Sequence, residues 1–206
     1  MTHTLHRRGT KESLSEDYVV LMIQAVGINN EGSTPKIQEF LRIALRHNPK
    51  NIGSVTMGGM IDRPEEIVTN ANKVGHAVFN NEEDLTAVLK ELKKADLGIS
   101  VVVSGIFENV DECLEKAGLK HHTANFSLGI WGKTEKLPSN DVLEVTTMCG
   151  HALIASNLVK AMVKEIKAGA KTPKEAARTL TPNCTCGIFN PARATKLLAV
   201  MAAKKS

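Results

Sequence analysis

A chain of 206 residues is long enough to bury a substantial core, and its 42% hydrophobic and 23% charged content is that of an ordinary globular protein, not a disordered or membrane-embedded one. The formal charge of +4 is spread over helices beside acidic residues, and aromatic residues make up only 3%, so no nucleic-acid surface is expected. No apolar run is long enough to cross a bilayer and Met1 to Arg8 lacks the apolar stretch of a secretory signal, so the expected setting is cytoplasmic, with no membrane partner.

Tyr18 to Val26 is an apolar, β-branched run ending in a Gly-containing loop. Thr34-Pro35 then opens a helix with Ile37, Phe40, Leu41, Ala44 and Leu45 on one face. A short strand is expected around Ile52 to Met57, a helix from Pro64 over Glu65 to Lys73, and another strand at His76 to Phe79. Asn81 caps a helix carrying Leu85, Val88, Leu89 and Leu92, and Ile99 to Val103 reads as a continuous apolar strand buried on both faces. Ile106, Val110, Cys113, Leu114 and Ala117 then mark the inner stripe of a helix.

Thr123 to Trp131 and Val142 to Thr147 are expected as two further strands joined by a polar Gly/Pro loop. Helices follow at His151 to Lys167, at Thr172 to Leu180 behind the capping box Thr172-Pro-Lys-Glu175, and from Asn190-Pro191 to Lys204-Lys205. The fold class is therefore α/β: a layered sheet with flanking helices, followed by a C-terminal helical segment carrying the cysteine motifs. We read residues 1–206 as a single α/β domain; a division into an α/β core, 1–148, and a helical segment, 149–206, is the alternative.

Four cysteines are too few for a disulfide scaffold. Cys113 falls on an apolar helical stripe and reads as core. The other three stand in Gly, Pro and Asn turns. Met148-Cys149-Gly150-His151 is placed where a strand would give way to a long helix, whose N-terminal N–H groups and dipole would hold Cys149 as thiolate. Pro182-Asn-Cys184-Thr-Cys186-Gly187 puts two more thiols between short helices, and an antiparallel helical hairpin would return them to Cys149.

Three thiolates with an open or His151-occupied fourth position suit a [4Fe–4S] cluster, whereas the same three with His151 would also satisfy tetrahedral zinc as a Cys₃His staple for a binding module. Neither motif has the two-to-four-residue spacing of a zinc knuckle, and Cys184-Thr-Cys186 departs from the ferredoxin run, which favours the cluster. In ligand count the site resembles the three-cysteine clusters of hydro-lyases of the aconitase type, and that resemblance implies an open iron acting as a Lewis acid on hydroxyl or carboxylate.

The expected function is thus an iron–sulfur protein of anaerobic-type metabolism, a lyase or oxidoreductase, with a small anionic substrate or a redox partner protein. Homo-oligomerisation is left open. His151 and His6 are the candidate proton-transfer groups, and Arg7 and Arg8 the candidate anion binders, because guanidinium forks bind carboxylate or phosphate. A metal-free redox pair of Cys184 and Cys186, or Cys149 as a nucleophile, is the remaining alternative.

Overall fold

A computed structural model describes residues 4–55, 57–59 and 62–204. Thr56, expected within the second strand, and Lys205, expected in the last helix, lie outside these residues. Among the described residues five strands, β1 (Tyr18–Ile23), β2 (Asn51–Ser54), β3 (Gly58–Gly59), β4 (Val74–Phe79) and β5 (Val101–Ser104), form one sheet in the order β3-β2-β4-β1-β5, and every pair is antiparallel. The α-helices among the described residues are α1 (Lys11–Leu14), α2 (Ser33–Leu45), α3 (Pro64–Asn70), α4 (Glu82–Ala95), α5 (Phe107–Lys116), α6 (Asn140–Thr146), α7 (Ser156–Lys167), α8 (Pro173–Leu180) and α9 (Pro191–Ala203).

Strand periodicity divides the core in two. Tyr18, Val20 and Met22 of β1 face one layer, with Ala77 and Phe79 of β4, and pack with α2, α3, α4 and α5. Val19 and Val78, on the opposite side, are buried by α6, α7, α8 and α9 together with Cys149, Cys184 and Cys186. The antiparallel sheet is thus flanked by helices on both faces, and the C-terminal helices form the layer that carries the cysteines.

Three strand expectations change. Ile99 to Val103 is not a strand buried on both faces: β5 lies at the sheet edge, with Val101, Val102 and Val103 only half-buried. Thr123 to Trp131 pairs with no strand among the described residues, and Phe126, Leu128 and Trp131 are exposed there. Val142 to Thr147 lies in α6 and its C-cap, not in a strand. Val142, Val145 and Thr146 stand three and four residues apart and share one buried helical face, whereas a strand would divide them between two faces.

The helix expected from His151 starts instead at Ser156. Ala152 adopts a left-handed φ of 56°, a conformation that interrupts any helix running through it.

Candidate functional site

Cys149 follows the C-terminal end of α6, its N–H bonded to Thr146 O at 3.1 Å, and is separated from α7 by residues 150–155. The helix N-terminus invoked for it is therefore not at this position. Another device replaces it. The turn through left-handed Ala152 aims the N–H groups of His151 and Leu153 at Cys149 Sγ, forming a backbone nest for a negative sulfur. The Cys184 thiol donates to the same sulfur, and His151 lies close enough to favour its charge. Together they outweigh burial and pull the Cys149 pKa down to about 6, with the Cys184 hydrogen bond the largest cause.

Cys184 is the protonated member of this pair. Its hydrogen bond to Cys149 and its burial push its pKa far upward, although the N–H groups of Ile188 and Phe189 also point at its sulfur. The loop after it turns tightly, with Gly187 N–H on Cys184 O at 3.0 Å, and presses against β2. Gly187 has a φ of 72°, and a Cβ added there would lie 2.6 Å from both Gly53 Cα and Ile52 O. Only glycine meets both requirements.

Two further side chains hold this loop. Asn51 Nδ2 donates to Phe189 O at 3.0 Å, and Arg7 Nη2 donates to Ile188 O at 2.5 Å. The peptides that present N–H groups to Cys184 are thus fixed by residues far away in sequence.

Cys186 Sγ lies 3.2 Å from His151 Nδ1, and burial raises its pKa. The structure therefore brings the two cysteine motifs together as an antiparallel return of the chain requires. The contacting sulfurs are Cys149 and Cys184, however, while Cys186 faces the imidazole. All three cysteines are at most 2% exposed, whereas His151 is exposed at the edge of the group. Cys113 sits in the other core layer, donating to Glu82 O at 3.7 Å. Among the described residues, no three His, Cys, Asp or Glu side chains stand in an arrangement ready to hold a metal ion.

The N-terminal segment threads between the two motifs. Arg8 N–H donates to Thr147 Oγ1 at 3.0 Å, two residues before Cys149, and Arg8 O accepts from Arg193 Nη2 at 2.6 Å. Arg7 does not present a free fork to an anion. Nη1 pairs with Asp17 and Nη2 with the Ile188 carbonyl, which leaves only Nε. His6 bonds Ser127 Oγ at 3.1 Å, so its partner lies in the segment after α5 and is not a cysteine. Thr2 and His3, grouped with these residues by sequence, lie outside the described residues.

Sequence reasoning missed the residues that support this arrangement. Asp17 is fully buried and accepts from Arg7, from Arg193 Nη1 at 2.8 Å and from Asn190 Nδ2 at 3.1 Å. Arg193 is itself only 1% exposed. The available signals were a carboxylate directly before a wholly apolar strand and a lone arginine in the otherwise apolar start of α9. Gly53, inside a strand, carried the usual mark of a close backbone approach. No protein family, curated protein or solved structure matches this chain.

Proposed function

We propose that Cys149, Cys184 and Cys186 form a metal–thiolate centre that would hold a [4Fe–4S] cluster, its fourth ligand position open or taken by His151. The observation that carries this reading is the convergence of three buried cysteines in one core layer with His151 Nδ1 3.2 Å from Cys186 Sγ, and backbone N–H groups favour charge on Cys149 and Cys184. Hydrogen bonds to ligand sulfurs stabilise their negative charge and tune a cluster's potential. Sulfur donors are also the right chemistry for iron–sulfur assembly. A bound cluster would supply electron transfer or, at an open iron, Lewis acidity toward a small anion. The chain itself would orient the sulfurs, screen them from water and place His151 to hold or move a proton at Nδ1 beside Cys186. Lyase and oxidoreductase chemistry are the two reaction classes this arrangement serves.

A second reading has its own observation. Cys149 and Cys184 share a hydrogen bond, and one holds a proton while the other readily gives its proton up, as in a dithiol redox pair. The pair would be Cys149 with Cys184, not Cys184 with Cys186.

Anaerobic purification and reconstitution of the full chain separate these readings. Iron and acid-labile sulfide in cluster stoichiometry, with visible absorption lost in Cys149→Ser, support the first. Stoichiometric zinc without visible absorption moves the site to a Cys₃His staple. A metal-free protein that releases two thiols on reduction, fewer in Cys149→Ser, supports the dithiol.

A further inference from the structure

A second site lies along the edge of the sheet. A cavity of about 820 Å³ runs beside β5, between α5 and residues 119–127. That volume falls in the range of roughly 300–1,000 Å³ occupied by small-molecule sites. Its long wall is apolar, with Ile99, Val101, Val103 and Phe126 among its lining. Its other end is polar and buried, where Thr4 Oγ1 and Ser104 Oγ bond each other at 2.6 Å beside the Arg7–Asp17 pair.

Arg7 is the informative member. Its side chain is only 6% exposed, two of its nitrogens are engaged, and its Nε is buried with no hydrogen-bond partner among the described residues. A buried guanidinium donor left unmade is costly, and a native structure normally supplies an acceptor for it. Arg7 shares its carboxylate partner: Asp17 pairs with both Arg7 and Arg193, while Arg193 also has Glu144 at 3.5 Å.

We propose that this cavity binds a small amphipathic acid, its carboxylate accepting from Arg7 Nε and its apolar body lying along β5. The proposal does not depend on metal at the cysteines. Arg7 also holds the Ile188 carbonyl, so occupancy of the cavity would be felt in the cysteine loop through one shared side chain.

The test is calorimetric titration of the full chain with octanoate, and with octylamine as a probe of equal tail and no acceptor. Two variants accompany it: Val102→Trp, which fills the cavity from a half-buried strand position, and Arg7→Lys, which keeps a cation for Asp17 but removes Nε. One octanoate per chain is expected, with no saturable binding in Val102→Trp and binding about tenfold weaker in Arg7→Lys, the loss of one charge-assisted hydrogen bond. Octylamine should not bind. Circular dichroism of each variant establishes that it is folded, and Val102→Trp decides the matter if Arg7→Lys is not. Absence of saturable octanoate binding at millimolar concentration overturns the proposal. So does equal binding by octylamine, or unchanged octanoate affinity in folded Val102→Trp.

Discussion

Gly53 of β2 and Gly187 of the cysteine loop meet backbone to backbone: a carbon added to Gly53 would lie 2.7 Å from Gly187 Cα, and one added to Gly187 would lie 2.6 Å from Gly53 Cα. The neighbouring atoms are main chain, so they cannot move aside as a flexible side chain would. Gly53→Ala should therefore lift the loop off the sheet, at a cost of about 1–3 kcal/mol for overpacking. Urea unfolding reads the cost, and iron content after reconstitution should fall with it. An alanine variant of unchanged stability would mean that the loop does not rest on β2.

The shared proton of Cys149 and Cys184 makes stability depend on pH in a particular way. Thiols of the unfolded chain titrate near about 8.5. In the folded, metal-free chain Cys149 loses its proton at about 6 while Cys184 holds its own beyond the ordinary range. Between pH 6 and the ordinary thiol range, the unfolded state binds more protons than the folded one, so stability rises with pH. Above that range the unfolded state binds fewer, because Cys184 stays protonated only in the fold, and stability declines. The urea midpoint of metal-free protein minus that of Cys149→Ser, followed across this range, should rise and then level or fall. Parallel curves would contradict the shared proton.

Asp17 answers two buried guanidiniums and an amide. Asp17→Asn removes the one negative charge common to Arg7 and Arg193, which are 6% and 1% exposed, and leaves both without their buried carboxylate. A loss of about 3–5 kcal/mol is expected, as for breaking other buried ion pairs. That is a large part of the total stability of a domain. Guanidinium unfolding checks it, and a loss under 1 kcal/mol, the scale of an exposed pair, would refute it.

Asn51 tests the support of the centre without touching a sulfur. Asn51→Ala strips the Phe189 carbonyl of its donor inside the core, at a cost of about 1–3 kcal/mol for an unmet buried acceptor. The N–H groups of Ile188 and Phe189 then lose part of their fixation, so Cys184 should alkylate differently in metal-free protein and reconstituted iron should be lost faster to chelators. Cys113→Ala, in the other core layer, should change neither property while still lowering stability. Equal chelation rates in Asn51→Ala and Cys113→Ala would remove Asn51 from any role at the centre.

Much of the helical half of the fold was legible because its signals are local. Asn81, Thr172 and Asn190 each cap the helix they were expected to cap. The chain return permitted the two cysteine motifs to meet, but their distance could not be read from the sequence; Cys186 lies beside His151. What failed were assignments resting on β-branched composition. Val142 to Thr147 has strand-forming residues, but its apolar positions follow helical spacing and tertiary burial favours that face. Phe126, Leu128 and Ile130 alternate as a strand would, yet alternation supplies no pairing partner. The device that holds Cys149 could not be read, because it depends on one residue, Ala152, taking a left-handed conformation that alanine rarely adopts. Asp17, Arg7 and Arg193 are separated by 10 and 176 positions, and no local pattern announces such a cluster.

The threading of the N-terminal segment between the two cysteine motifs sets an order of events during synthesis. Arg7 and Asp17 are synthesised 173 to 181 positions ahead of Ile188, Asn190 and Arg193, the residues that complete their contacts. Until then Arg7 and Asp17 have only each other, without the Ile188 carbonyl, Asn190 or Arg193, and Cys149 waits without Cys184. The thiols are therefore most accessible in the nascent or just-released chain. Any group that the three sulfurs bind would enter most easily in that interval, before α9 packs into the same core layer.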